Sequence, residues 1–202
     1  MIKDKSKNNT EYQSSPLFIV IMGSPGAGKG TQAEKLGKQY AIPHISSGEL
    51  LRETARQNTP VGRRLKEYME KGELAPNDVI IDIMTERLNR PDCKKGFIID
   101  GFPRARIEAI ALEEILATQK RKLGNVIEIK ISREECIRRL KDRGRYDDKM
   151  DVINKRYDIY LSQSYEVREH FKTRKNLYKE INGEGSKESV EKELNKILRS
   201  ET

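Results

Sequence analysis

Residues 17–31 constrain the fold of this chain more than any other segment. They begin with six apolar residues, a run with the length and composition of a buried β-strand. A loop follows at once, and it contains four glycines, Gly23, Gly26, Gly28 and Gly30. Because glycine has no side chain, the backbone N–H groups of such a loop can curl around an anion at the start of the next helix. The segment predicts a strand, a phosphate-binding loop and a helix, with a plain glycine-rich turn as the alternative.

A lysine, Lys29, adds a full positive charge to this loop. Gly23, Gly28 and Lys29 fit the P-loop pattern, in which a hydroxyl residue follows the lysine directly. Here Gly30 follows the lysine, and the hydroxyl of Thr31 comes one residue later. The form Gly-x-Pro-Gly-x-Gly-Lys-Gly-Thr is more similar to the loop of nucleoside monophosphate kinases than to that of ATPases or GTPases.

Short apolar runs alternate along the chain with segments that space their apolar residues at three and four, as helices do. Strands are predicted at residues 17–22, 43–46, 97–99, 126–131 and 177–181. Helices are predicted at residues 30–40, 50–58, 79–89, 106–118 and 133–143. This alternation predicts an α/β fold with a parallel five-stranded sheet that helices cover on both faces.

The 202 residues correspond to one domain. We predict a disordered basic tail at residues 1–15, which are polar and rich in lysine, and a domain at residues 16–202. Glycines and prolines punctuate a helical segment after the second strand, which predicts a helical insert at residues 46–75. Ser132 with Glu135 three residues later predicts a capping box for the helix at 133–143.

Charge and cysteine content narrow the classes of partner. Forty Lys and Arg residues against 32 Asp and Glu residues give a formal net charge of +8, which favours nucleotides, nucleic acid or a membrane surface. The two cysteines, Cys93 and Cys136, have neither a metal-binding nor a disulfide-framework spacing. No apolar run has the length of a membrane span, and residues 1–15 lack the apolar core of a signal peptide. We expect a cytoplasmic protein.

A second motif, Phe-Ile-Ile-Asp-Gly-Phe-Pro-Arg at residues 97–104, ends another predicted strand. Asp100 then lies at the carboxyl edge of the sheet, where the glycine-rich loop also begins, and its carboxylate is suited to hold Mg²⁺ or the water bound to it. Aspartates at strand ends also form turns without any ligand. Arg104, held after Gly101 and Pro103, predicts a contact with an anion.

Together with His-Ile-Ser-Ser-Gly-Glu-Leu-Leu-Arg at 44–52 and Asp147-Asp148-(seven residues)-Arg156, these motifs resemble those of the adenylate kinase family. The resemblance extends from Leu17 to the C terminus. It implies a P-loop nucleoside monophosphate kinase fold with an acceptor-binding helical insert at 46–75 and a very short lid at 144–148. It also implies an enzyme that carries out reversible, Mg²⁺-dependent phosphoryl transfer from ATP to AMP, giving two ADP.

The resemblance assigns residues of this chain to roles. It implies catalytic roles for Lys29, Arg104, Arg145 and Arg156, and a water-mediated Mg²⁺ contact for Asp100. The implied ATP-binding residues are Gly26, Ala27, Gly28, Lys29, Gly30, Thr31, Arg139, Arg143 and Ser186. The implied AMP-binding residues are Ser47, Gly48, Arg52, Glu73, Ala75, Gly101, Arg104, Glu108, Arg145 and Arg156. Taken alone, each arginine is an ordinary solvated helix charge, and we interpret Arg138 in that way.

Three positions depart from the family. The predicted lid is shorter than the family's short lids, so that Arg143 and Arg145 lie two positions apart. Ser47 stands where adenylate members commonly carry threonine; it keeps the hydroxyl and favours AMP. Glu108 stands where they carry glutamine, and a carboxylate only accepts hydrogen bonds. If it reads the base, Glu108→Gln sharpens the preference for AMP over GMP.

Other functions remain open at this stage. The acceptor can be another monophosphate, such as GMP, UMP or CMP. The short lid also fits a relative that binds nucleotides without turnover. A nucleic-acid-binding protein that uses ATP as a switch is less consistent, since the aromatic residues form no stacking platform and the arginines fall at phosphotransfer positions. We expect ATP and AMP as partners, no nucleic acid, no membrane and a monomer.

Overall fold

The computed structural model describes residues 16–144 and 148–199. The predicted tail at 1–15 and residues 145–147 of the predicted lid, Arg145 among them, lie outside the described residues. The described strands are β1 (Leu17–Gly23), β2 (His44–Ser46), β3 (Gly96–Asp100), β4 (Asn125–Lys130) and β5 (Tyr178–Asn182). The described helices are α1 (Lys29–Tyr40), α2 (Ser47–Arg56), α3 (Pro60–Glu70), α4 (Asn77–Leu88), α5 (Arg106–Thr118), α6 (Arg133–Arg143), α7 (Met150–Lys172) and α8 (Lys187–Arg199), with a 3₁₀ turn at Pro91–Lys95.

The five strands form one parallel sheet in the order β2-β3-β1-β4-β5. The predicted α/β fold with a five-stranded parallel sheet is therefore confirmed. In this order β1 is central, with β3 and β2 on one side of it and β4 and β5 on the other. The direction in which the chain adds strands therefore reverses at β1. Such a switch point opens a crevice beyond the carboxyl ends of the strands. The glycine-rich loop follows β1 and lies at this crevice.

The core has one apolar layer on each face of the sheet. Phe18 and Val20 of β1 pack into the first layer, whereas Ile19 and Ile21 pack into the second. Neighbouring residues of a strand point to opposite faces, so a strand covered on both sides must be apolar throughout. This is why β1 appears in the sequence as an uninterrupted apolar run.

The helices α3, α7 and α8 were not predicted as separate elements. In α3, Pro60 occupies the first turn, where the missing N–H is not needed, and the Thr59 side chain accepts a hydrogen bond from the Gly62 N–H at 3.0 Å. Pro60 and Gly62 would interrupt a helix from its middle, but here they lie in the first turn of α3. None of the helices in the described ranges is long and apolar enough to cross a membrane.

The capping box predicted for α6 forms only in part. The Ser132 hydroxyl accepts a hydrogen bond from the Glu135 N–H at 3.4 Å, as predicted. The Glu135 carboxylate, however, binds Arg138 and Arg139, and the Ser132 N–H donates to Glu184 at 2.9 Å. Charge-assisted hydrogen bonds to two arginines are stronger than one to a neutral amide, and they take the carboxylate away from the helix start.

Candidate nucleotide-binding site

A cavity of about 880 Å³ opens at the carboxyl edge of the sheet. It is lined by the glycine-rich loop, by the chain after β3, and by parts of α2, α6, α7 and the β5–α8 connection. Most of the residues assigned from the sequence line it: Gly26, Ala27, Gly28, Lys29, Gly30, Thr31, Gly48, Arg52, Glu73, Ala75, Asp100, Gly101, Arg104, Arg139, Arg143, Arg156 and Ser186. Ser47 and Glu108 do not line it.

The glycine-rich loop wraps the start of α1. Gly28 is the residue before the helix and has φ +88°, a conformation that L side chains rarely adopt. The first N–H groups of α1 therefore point out of the helix towards the cavity, where they and the helix dipole favour an anion.

The ammonium group of Lys29 is folded back onto its own loop. It donates to the carbonyl oxygens of Gly23 and Ser24, both at 2.9 Å. Burial lowers its pKa to about 8, and although Asp100 acts in the opposite direction, the positive charges of Arg104 and Arg143 lower the pKa further. Lys29 thus has more positive than negative charge around it, and an anionic ligand in the cavity would balance the excess.

Asp100 closes β3 beside the glycine-rich loop. Its Oδ2 atom lies 3.2 Å from His44 Nε2. Burial opposes ionisation, but the hydrogen bond from His44 and the charge of Lys29 outweigh it and hold the pKa of Asp100 below its usual value. A Cβ atom on Gly30 would lie 3.3 Å from this oxygen. The glycine that departs from the strict P-loop pattern thus leaves room around the carboxylate.

The described residues contain no group of three or more His, Cys, Asp or Glu side chains that could hold a metal ion by themselves. One ionised carboxylate with open space beside it fits Mg²⁺, which usually keeps several waters and takes its remaining ligands from phosphates. The site thus suits a magnesium ion that arrives with a nucleotide.

The carbonyl oxygen of Gly101, just after β3, accepts hydrogen bonds from two side chains. The Ser47 hydroxyl and Arg104 Nε donate to Gly101 O at 2.6 and 2.7 Å. Gly101 has φ +79°, and a Cβ atom there would lie 2.7 Å from Ser47 Oγ. The Ser47 hydroxyl thus holds this turn together with Arg104, and the contact of Ser47 with the acceptor stays a prediction.

Arg52 and Arg104 bring two guanidinium groups to this side of the cavity. Arg52 stacks beside Gly48, where a Cβ atom would lie 3.4 Å from Arg52 Nη1. Burial lowers the pKa of Arg104, although the nearby Glu108 and Asp100 carboxylates raise it. Paired guanidinium groups suit the tetrahedral oxygens of a phosphate.

Glu108, which the resemblance assigns to the acceptor base, binds the protein backbone in this structure, and its contact with the base stays a prediction. Glu108 is buried, and its Oε2 atom accepts a hydrogen bond from the Arg104 N–H at 2.6 Å. Burial raises the pKa of this carboxyl group, whereas its hydrogen bond with the Arg104 backbone lowers it. Glu108 lies in the first turn of α5, where backbone N–H groups lack helix partners and an acidic side chain satisfies them. The carboxylate is used for this purpose.

The arginines of α6 and α7 meet at another part of the cavity wall. Arg139 donates to Gly183 O at 2.8 Å and to Gly26 O at 3.5 Å, and so joins the glycine-rich loop to the chain after β5. Arg143 makes two hydrogen bonds to Asp148, at 2.9 and 2.6 Å, and Arg156 lies 4.0 Å from the same carboxylate. Asp148 thus brings the end of α6 and the start of α7 together.

Arg138 lies beside these arginines on the exposed face of α6. It pairs with Glu135 at 2.7 Å and with Asp142 at 3.4 Å. This agrees with its interpretation as a solvated helix charge, although it also reaches the rim of the cavity.

One wall of the cavity was missed in the sequence. It is formed by α7, through Ile159, Tyr160, Gln163 and Ser164. The signal was present, because these four residues follow Arg156 at the spacing of one helix face. It was overlooked because α7 itself was not predicted.

A glycine-rich loop after the central strand, an aspartate that ends the next strand and arginines on both sides of one cavity define a P-loop nucleotide phosphotransferase. A family model described as adenylate kinase matches residues 21–176. A curated protein named adenylate kinase from Methanocella arvoryzae is 39% identical, with 91% of this chain and 99% of that protein aligned. Others named adenylate kinase are 36% identical in Archaeoglobus fulgidus (90% of this chain, 98% of that protein) and 40% in Mycolicibacterium smegmatis (77% and 86%). The chain belongs to the adenylate kinase family.

Proposed function

We propose that this chain catalyses the reversible transfer of a phosphoryl group from ATP to AMP, with Mg²⁺, to give two ADP. The observation that carries the proposal is the set of cations around one cavity: Lys29 at the glycine-rich loop, Arg52 of α2, Arg104 after β3, Arg139 and Arg143 of α6, and Arg156 of α7. Phosphoryl transfer between two nucleotides needs both polyanions aligned and the charge of the migrating group neutralised.

The loop side of the cavity would hold ATP. The N–H groups at the start of α1 would bind its phosphates, and Lys29 would leave the Gly23 and Ser24 carbonyl groups for a phosphate oxygen. Asp100 would hold Mg²⁺ through water, and the ion would neutralise charge on the ATP phosphates. Arg139, Arg143 and Ser186 would contact the remainder of the nucleotide.

The side of Arg52 and Arg104 would hold AMP. Both guanidinium groups would grip its phosphate, with Arg104 fixed by Gly101 O and, through its backbone, by Glu108. Gly48, Glu73 and Ala75 would border the nucleoside. Glu73 forms an ion pair with Lys155 of α7 at 2.9 Å, a contact that joins this side of the cavity to α7.

Arg156 and Arg145 would act on the transferred group between the two nucleotides. The lid that would exclude water from them is proposed at residues 144–148, between the end of α6 and the start of α7.

Another nucleoside monophosphate is the second candidate acceptor, and the burial of Glu108 favours keeping it. Because the Glu108 carboxylate binds the Arg104 N–H in this structure, we propose that it does not by itself favour AMP over another monophosphate. A monomeric state, a cytoplasmic location and the absence of nucleic-acid binding are predictions from the sequence.

Initial rates with ATP, Mg²⁺ and a panel of AMP, GMP, CMP and UMP test the proposal. We expect ADP formation that depends on the acceptor and is fastest with AMP. A matched reaction without monophosphate measures background hydrolysis, and one with added RNA tests for a nucleic-acid requirement. Turnover that depends on RNA, or nucleotide binding without any transfer, would contradict the proposed function.

A further inference from the structure

A carboxylate lies in the core of the sheet, away from the residues assigned so far. Glu128 of β4 is fully buried. Its Oε1 atom accepts hydrogen bonds from the Tyr160 hydroxyl and from Arg168 Nη1, the latter at 3.2 Å, and its Oε2 atom accepts one from the Tyr178 hydroxyl. A buried charge is tolerated only when it is paired and its lone pairs are satisfied, as they are here.

Two of the three donors belong to α7. Tyr160 and Arg168 lie eight residues apart on this 23-residue helix, so Glu128 holds the helix at two places. The carboxylate itself is a rigid reference point, because Glu128 pairs in register with Met22 of β1, the strand that leads into the glycine-rich loop. The position of α7 is thereby tied to the strand that carries the loop.

Tyr160 is the link between this cluster and the cavity. It lines the cavity, as does Arg156, and the two residues are separated by four positions, one turn on the same helix face. Burial raises the pKa of Tyr160 and of Tyr178, so both hydroxyl groups remain protonated donors near neutral pH.

We propose that Glu128 and Tyr160 are positioning residues that fix the turn of α7 bearing Arg156, and thereby set the distance of its guanidinium group from the phosphoryl group in transfer. This inference rests on the proposed function, since it gives Arg156 a role in that reaction. In this role Glu128 and Tyr160 act on the reaction through Arg156.

Tyr178 provides a matched control. It donates to the same carboxylate, but it belongs to the edge strand β5 and does not line the cavity. Tyr160→Phe and Tyr178→Phe each remove one hydroxyl from the same cluster and keep the ring. A purely structural cluster predicts lower stability and no change in kcat for either variant, whereas the positioning role predicts a difference in kcat between them.

Both variants are assayed with ATP, AMP and Mg²⁺ alongside thermal melting. We expect Tyr160→Phe to lower kcat about tenfold, as for a small misplacement of a catalytic group, with KM for both nucleotides changed less than about twofold. Tyr178→Phe should melt at a lower temperature than the wild type but keep its kcat. Equal kcat values in the two variants overturn the inference.

A double-mutant cycle then asks whether Tyr160 acts through Arg156. In an Arg156→Ala background, Tyr160→Phe should change kcat less than about twofold, because the group it positions is gone. A tenfold effect in that background contradicts the inference. Should Tyr160→Phe fail to fold, Glu128→Gln replaces it in the same cycle with the same expectations. A wild type that makes no ADP refutes the proposed function instead, before any variant is compared.

Discussion

Gly101 lies beside Ser47 and Arg104 at the proposed acceptor side of the cavity. Its replacement by alanine should lower the free energy of unfolding for two separate reasons. The residue has φ +79°, and a Cβ atom there would lie 2.7 Å from Ser47 Oγ and 3.2 Å from Arg104 Nη2. The left-handed conformation alone costs an alanine about 1–2 kcal/mol. Displacing the buried Ser47 hydroxyl from Gly101 O adds about 1–3 kcal/mol for a buried polar group left without its partner. We predict a total loss of about 2–5 kcal/mol for Gly101→Ala.

Gly144 is the control for the backbone cost. It has φ +61°, and a Cβ atom there would meet nothing within 4 Å, so Gly144→Ala should lose only about 1–2 kcal/mol. Urea unfolding of both variants gives the difference in the free energy of unfolding. The combined variant Gly101→Ala with Ser47→Ala removes the hydroxyl that clashes, and should be less unstable than the two single losses added together.

The KM values for AMP and ATP give a second test of Gly101→Ala. Because Arg104 bonds to Gly101 O through Nε, the displaced turn should raise KM for AMP several-fold more than KM for ATP. Equal destabilisation by Gly101→Ala and Gly144→Ala, with additive behaviour in the combined variant, would refute the steric reasoning. A larger change in KM for ATP would refute the placement of AMP beside Arg104.

Three further predictions follow from the site. The protonated form of Lys29 binds phosphate, and its pKa is about 8 in the protein without ligand. ATP affinity, measured by calorimetry without Mg²⁺, should therefore fall about tenfold between pH 7 and pH 9 in the wild type and stay constant in Lys29→Met. An ATP affinity that does not change with pH in the wild type would contradict the charged role of Lys29. Glu108→Gln should leave the ratio of kcat/KM for AMP and GMP within about twofold while costing about 1 kcal/mol in urea unfolding, since one backbone acceptor is weakened; a large gain in AMP preference would restore Glu108 as a reader of the base. A reduced lid should permit slow ATP hydrolysis without acceptor, at a small fraction of the transfer rate, and undetectable hydrolysis by phosphate release would show that the site closes fully.

The sequence predicts well where one local pattern decides the structure. The run at 17–22 becomes β1 because a strand buried on both faces has no other composition available, and the glycines after it become the anion-binding turn. It predicts poorly where distant residues compete. The resemblance assigns Ser47 and Glu108 to the acceptor. In this structure the Ser47 hydroxyl donates to the Gly101 carbonyl, and the Glu108 carboxylate accepts from the Arg104 N–H.

The helix α7 shows a second limit. Its many polar and charged residues obscure a narrow buried stripe that includes Val152, Val167 and Phe171. The carboxylate that holds α7, Glu128, lies in β4 among buried apolar residues. No local spacing pairs Glu128 with Tyr160, because that contact depends on how β4 and α7 pack against each other.

The central claim is that this cavity transfers a phosphoryl group from ATP to AMP with Lys29 at the migrating phosphate. It is tested most directly by following ATP, AMP and Mg²⁺ by phosphorus NMR with the wild type and with Lys29→Met. The account predicts that the wild type converts the mixture to ADP until equilibrium. It predicts that Lys29→Met, with an unchanged circular dichroism spectrum and melting temperature close to wild type, is slower by about a hundredfold or more, the cost of losing one preorganised charge. A folded Lys29→Met variant with near wild-type turnover, or a wild type that leaves AMP unchanged, would contradict it.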